Sequence, residues 1–411
     1  MNAPLQDVSA LPIDAIDVSD ASLYQQDSWR PYFSRLRAED PVHWSENDLF
    51  GGFWSVTRFK DITAVDGNHE AFSSEPAITI GDYGDDLPVR QFIAMDPPIH
   101  DVQRAAVQGV VAPRNLADLE GLIRQRVGDM LDGLPVGESF NWVEKVSINL
   151  TTQMLATIFD FPFEDRHKLP YWSDMATSLP EATGSDGDVD ERTAALQECL
   201  GYFTELWHQR KNNPPDTMDL ISLLATNPKT RDMVDDPLEY LGNLILLIVG
   251  GNDTTRNSIT GGVLALNQNP NEYAKLKADP SLIPSMVSEI IRWQTPLMHM
   301  RRIATRDVEL GGKTIRQGDK VVMWYLSGNH DETAIDRPND FIIDRKNPRY
   351  HLSFGFGIHR CMGNRLGEMQ LRILWEEILK RFSHVEVVGQ PERVLSNFVR
   401  GYSSLPVELH V

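Results

Sequence analysis

The chain has 411 residues, 41% of them apolar, which is enough to bury a sizeable core and shows no collagen-like or coiled-coil bias. Lys plus Arg number 39 against 59 Asp plus Glu, and the net charge of -20 repels phosphate backbones and anionic lipid. Nucleic-acid and membrane-surface roles are disfavoured, and Cys199 and Cys361, the two cysteines, can form neither a disulfide framework nor a C-x-x-C metal site.

Scarce cysteine suits a reducing compartment. The start, M-N-A-P-L-Q-D-V, lacks a basic stretch followed by an apolar one, so no signal peptide is expected and the location expected is cytoplasmic. Residues 1–20 read as a flexible acidic tail, and 21–411 as one two-lobed unit. Residues 53–58 read as a strand that 40–45 can pair with. From about 100 to 295 the pattern is helical, with Pro and Gly punctuation. The acidic stretch 185–191 lacks the glycine and the bidentate Glu of a calcium loop and reads as a solvated loop.

Asp236-Pro237 is a helix start and Asn269-Pro270 a stop. A helix between them runs roughly 50 Å at 1.5 Å per residue. In its middle stands G-G-N-D-T-T, 250–255. Two interior glycines cost about 1–2 kcal/mol relative to alanine. Helical spacing gathers Leu247, Gly250, Gly251, Thr254 and Ser258 on one side: an apolar end, a bare gap and hydroxyls. Two readings stand at this stage, close helix–helix packing at the glycines or approach of a bulky ligand to the bare backbone. Next, residues 284–293 form a helix whose Glu289 and Arg292 share a face; alone this is an ordinary ion pair, though its apolar neighbours suggest burial. Residues 305–326 read strand, turn, strand, turn, strand, helix returns at 362–382, and short strands fall near 385–388 and 405–410. The fold class is mainly α with a smaller β part.

Residues 354–363 read F-G-F-G-I-H-R-C-M-G and run into an amphipathic helix. Cys361 sits at that helix's N-terminus, where the dipole and free N–H groups favour a thiolate. Such a sulfur is a good anionic ligand for haem iron.

With these residues the sequence resembles the bacterial cytochromes P450 over nearly its whole length from about residue 20. The family's F-x-x-G-x-x-x-C-x-G loop is met by Phe354, Gly357, Cys361 and Gly363, its E-x-x-R by Glu289 and Arg292, and its (A/G)-G-x-(D/E)-T by Gly250, Gly251, Asp253 and Thr254. The resemblance implies a triangular helical prism with haem b between the long helix and the cysteine-loop helix, Cys361 being the axial ligand. It implies Arg337 as third partner of Glu289 and Arg292, His100, Arg104, Arg302 and His359 as partners of the haem propionates, and Phe354, Gly355 and Gly363 as cofactor contacts. It implies O2 as co-substrate, with Asp253 and Thr254 managing protons and bound oxygen. No reductase motif is present, so the resemblance implies a [2Fe–2S] ferredoxin and an FAD-containing ferredoxin reductase as partners; Arg360, Arg365 and Arg372 beside the cysteine loop are the candidate dock.

Leu247, Val249, Gly250, Leu297, Met298 and Met300 are the candidate substrate pocket, and their apolarity favours a hydrophobic ligand. The stretches L-L-I-V-G-G-N-D-T-T-R-N and P-L-M-H-M-R-R look like the branch that hydroxylates medium-chain alkanes and fatty acids at the terminal (ω) carbon. A terpene, aromatic or alicyclic hydroxylase is the alternative. A non-catalytic haem sensor is a third reading, but it has no use for Asp253 and Thr254.

Overall fold

The computed structural model describes residues 8–82, 89–212 and 219–411. Its long helix spans Pro237–Gln268, the Asp236 carboxylate capping it by accepting from the Glu239 N–H at 3.2 Å. Helices Asn149–Phe159, Lys168–Thr177, Ile283–Gln294 and Asn364–Arg381 pack around it over one extended apolar core. A five-stranded sheet lies to one side, in the order Val42–Asn47, Gly51–Val56, Lys320–Met323, Met300–Ala304, Phe72–Ser73. All its neighbours are antiparallel except Gly51–Val56 with Lys320–Met323. Among the described residues no helix is long and apolar enough to cross a membrane.

The expected loose tail is corrected over its described part. Residues 8–18 form two 3-10 turns, and Ile16 and Val18 are fully buried beside Trp29, Phe33 and Trp324. Arg35 Nη1 donates to the carbonyls of Val8 and Leu11 at 2.6 and 2.7 Å. Burying two such side chains contributes about 1.5–3 kcal/mol each, which outweighs the local polarity that suggested a tail. Residues 1–7 lie outside the described residues. In the acidic stretch, Asp188 Oδ1 accepts from the Glu191 N–H and so starts the helix Val189–Asn212.

The long helix stays helical through its glycines, and they divide the labour. A Cβ on Gly250 would meet nothing within 4 Å, because this position faces a cavity. A Cβ on Gly251 would stand 2.6 Å from Leu155 Cδ2. Gly261 and Gly262 make a second close approach, to Gln294 and Ile290. The packing reading therefore holds at Gly251, and Gly250 leaves its backbone open to the cavity.

Glu289 and Arg292 are completely buried. Arg292 Nε and Nη2 donate to the two carboxylate oxygens at 2.8 and 2.7 Å, and Nη1 donates to the carbonyls of Asn329 and Pro338 at 2.8 and 2.9 Å. The expected third partner, Arg337, is 63% exposed, and its guanidinium lies 3.7 and 3.8 Å from Asp336 and Asp340. Arg345 takes that place, with Nε 2.9 Å from Glu289 Oε2. Arg337 contributes its carbonyl instead, accepting from Arg345 Nη2 at 3.1 Å. Its φ of 44° marks the turn that carries its side chain away from the pair.

Arg345→Ala should destabilise the fold by roughly 3 kcal/mol, because it leaves a buried carboxylate underpaired. Arg337→Ala should stay within about 0.5 kcal/mol of the parent. Denaturant unfolding measures both, and equal losses would refute the assignment of Arg345. Gly250→Ala gains about 1 kcal/mol of helix propensity at no steric cost. Gly251→Ala sets the same gain against about 1–3 kcal/mol of overpacking on Leu155. The same unfolding curves should therefore rank Gly250→Ala as the more stable of the two.

Candidate active site

The cysteine loop is shaped from both sides. Gly355 and Gly357 have φ of 66° and 68°, and a Cβ on Gly357 would lie 2.3 Å from the Asp66 carbonyl. The Cys361 N–H donates to the Phe354 carbonyl at 2.8 Å and closes the loop. Upstream, Asn329 Oδ1 accepts from the Leu352 N–H, and Ser353 Oγ donates to the Ile291 carbonyl at 2.8 Å. The Asn329 carbonyl is the one that Arg292 holds, so the buried ion pair braces the chain leading into the loop.

Cys361 lines the cavity and is exposed there. Burial pushes its thiol up; the N–H groups of Gly363 and Asn364 and the cations Arg104 and Arg360 oppose this without overcoming it. The sulfur is thus a site where a bound cation favours the thiolate. The cavity runs from Cys361, Met362 and Gly363 to Gly250 and Thr254 on the long helix, and on to Ile78, Leu179 and Phe398. Phe354 and Gly355 also line it.

Of the four residues nominated for an anion, Arg104, Arg302 and His359 line the cavity, and His100 packs against His359. His359 Nε2 lies 2.8 Å from Ser74 Oγ, and its Nδ1 has no partner among the described residues. His100 Nδ1 lies 2.8 Å from Asp101 Oδ1, and among the described residues its Nε2 has no partner. The two rings are 4.3 Å apart. Burial holds both imidazoles below their ordinary pKa. Ser74 donating to Nε2 leaves the His359 Nδ1–H as a donor; His100 can donate from Nε2 only when doubly protonated, which a nearby anion favours. Arg104 and Arg302 line the cavity, with Arg302 Nη2 fixed on Asp66 Oδ1 at 2.7 Å. Two orphaned ring nitrogens, two cations and a sulfur in the cavity wall fit an anionic, metal-bearing disc. Cys361 would hold the metal; His100, Arg104, Arg302 and His359 would hold its acidic substituents.

Thr254 lines the cavity, and its Oγ1 donates to the Gly250 carbonyl at 2.9 Å. Asp253 is fully buried behind it and pairs with Arg256 Nη2 at 2.9 Å, which also reaches Asp174 at 2.5 Å. Burial raises its carboxyl to about 6; Arg256 pulls down and Asp174 pushes up.

Of the six pocket candidates, Leu247, Val249, Gly250, Leu297 and Met300 line the cavity. Met298 does not. It is fully buried in the cluster with Trp324 and Leu326. Asp66 went unnoticed in the sequence, yet its carboxylate accepts from Arg302, the Tyr325 hydroxyl and the Phe356 N–H at once. Asp-Gly at a helix end reads as a turn, so only the fold could reveal that role. Ser74 carried no signal either.

Residues 117–407 match the family described as cytochrome P450. The linalool 8-monooxygenase of Pseudomonas putida is 34% identical over 408 residues, covering 96% of this chain and 98% of that protein. A methyl-branched lipid omega-hydroxylase of Mycobacterium tuberculosis is 31% identical over 421 residues, covering 97% of both. Among solved structures, the cytochrome P450-153 of Novosphingobium aromaticivorans superposes with a TM-score of 0.90 at 45% identity, covering 96% of this chain and 99% of that one. The loop, the cavity and these relatives agree, and the chain belongs to the cytochrome P450 family, as a monooxygenase that uses haem iron and O2.

Proposed function

We propose that the protein hydroxylates the terminal carbon of medium-chain alkanes or fatty acids, on haem b held by Cys361. The observation that carries this reading is the single cavity joining Cys361 to Thr254 and continuing between apolar walls, with Gly250 leaving its floor bare. A primary C–H bond is stronger than an internal one, so only walls that hold a chain end-on make the terminus react. The omega-hydroxylase relative supports this reading. The linalool relative supports the alternative, a terpene substrate.

Haem iron, when bound, supplies the O2 activation and the oxidation of the C–H bond. The chain's part is to position and to deliver protons. Thr254 Oγ1 spends its hydrogen on the Gly250 carbonyl, so its lone pairs remain to accept from water in the cavity. Asp253, with its raised pKa, exchanges a proton near neutral pH and passes it toward Thr254. The apolar walls exclude the rest of the solvent.

Electrons come, on this reading, from a [2Fe–2S] ferredoxin and its FAD-containing reductase in the cytoplasm. Arg360 and Arg365 are exposed beside the cysteine loop and suit an acidic partner. Arg372 is less suited than the sequence suggests. Glu120 and Glu376 already neutralise it, each at 2.9 Å.

Dodecane, dodecanoate and linalool should be compared by low-to-high-spin shift and by product position. Chain-end alcohols from the first two support the reading, and internal alcohols throughout would sink it. Thr254→Ala should keep consuming NADH while product per NADH falls by about tenfold or more. Arg365→Glu should lower ferredoxin kcat/KM by roughly tenfold at low salt, and Arg372→Glu by clearly less; equal losses would remove the distinction between them.

A further inference from the structure

The long helix carries a buried amide directly before its buried acid. Asn252 is fully buried, and its side chain bridges two helices. Its Oδ1 accepts from Thr151 Oγ1, on helix Asn149–Phe159, at 2.8 Å. Its Nδ2 donates to Asp253 Oδ1 at 3.2 Å. That same Oδ1 takes Arg256 Nη2 at 2.9 Å. Asp253 Oδ2, buried as deeply, makes no direct hydrogen bond among the described residues, although Ser173 on helix Lys168–Thr177 stands near enough to favour the ionised carboxyl. The two oxygens of one carboxyl are therefore unequal: Oδ1 takes two direct donors and Oδ2 takes none.

We infer that Asn252 is a positioning residue for Asp253: anchored by Thr151, its amide occupies Oδ1 and leaves Oδ2 as the oxygen that carries and releases the proton. A carboxyl whose one oxygen is held by donors keeps its proton on the other. A residue with only an acceptor, or with no polar group, could not do this. The anchor is itself held in register. Thr151 follows a π-helical turn, Val143–Ile148, a distortion common near functional sites. Ser147 in that turn shares a 2.8 Å hydrogen bond with Thr260, two turns further along the long helix. Two polar contacts thus fix this helix pair inside an otherwise apolar interface. The charged groups facing the carboxyl are Arg256 on its own helix and Asp174 on helix Lys168–Thr177, and neither touches Asn252 in the hydrogen-bond pattern. Asn252 favours the ionised form of Asp253, so its loss should move the carboxyl further up from about 6.

The inference rests on Asp253 delivering protons, and the experiment separates the two. The carboxyl C=O band of Asp253 is followed by infrared difference titration of the haem-loaded enzyme, assigned by its absence in Asp253→Asn. Asn252→Leu should keep the protonated band to higher pH, shift the pH profile of product per NADH the same way, and lower that ratio several-fold. Thr151→Val removes the anchor without touching the long helix, and it should do the same more weakly. Thr151→Ser keeps the hydroxyl and should behave as the parent. An unmoved band in a folded Asn252→Leu or Thr151→Val enzyme overturns the positioning role. A shifted band with product per NADH unchanged, in Asp253→Asn as well, overturns proton delivery by Asp253 instead.

Discussion

A charge can leave water only if its partners leave with it. Here that constraint binds one carboxylate, Glu289, to two guanidiniums from different parts of the chain. Arg292 then spends its remaining donors on carbonyls at Asn329, Pro338 and Asp340. Those carbonyls belong to the irregular segment before the cysteine loop, which has few backbone partners of its own. The loop's position is thus an electrostatic consequence of a pair that never touches the cavity. Desolvating such a group is costly, so the pair defines one arrangement more than it adds stability.

The same economy shapes the long helix. A helix through the middle of a molecule is packed on all sides, and room for a ligand must be made by removing side chains. Gly250 makes that room, while Gly251, one residue on, closes against Leu155. Next to the opening stand the polar residues, and each is committed. Thr254 is bonded to its own helix, Asn252 to Thr151, and Asp253 to Arg256. Asp253 Oδ2 makes no direct hydrogen bond among the described residues, with Ser173 its polar neighbour.

Beside the cavity the pattern reverses. His100 and His359 stack edge to face, each with one ring nitrogen satisfied by the protein and the other without a partner among the described residues. Arg104 and Arg302 add positive charge beside them. A chain with a large negative net charge concentrates cations here, and again on the outer face of the loop at Arg360 and Arg365.

What the sequence determined by itself is what short-range rules can encode. Asp236-Pro237 and Asn269-Pro270 bound the long helix because capping and proline geometry are local. The ten residues ending in C-M-G revealed the family because glycines at fixed spacing around one cysteine have few other uses. Side-chain pairing across the fold was not legible. Arg337 and Arg345 stand in one segment, and only the turn at Arg337 decides which guanidinium reaches Glu289. Met298 and Met300 are equally apolar, and only the neighbouring cluster decides which one faces the cavity. Ile16 and Val18 sit in a polar stretch that reads as a tail until Trp29 and Trp324 cover them. In each case the deciding contact comes from elsewhere in the fold or from a single dihedral, and local composition carries no record of it.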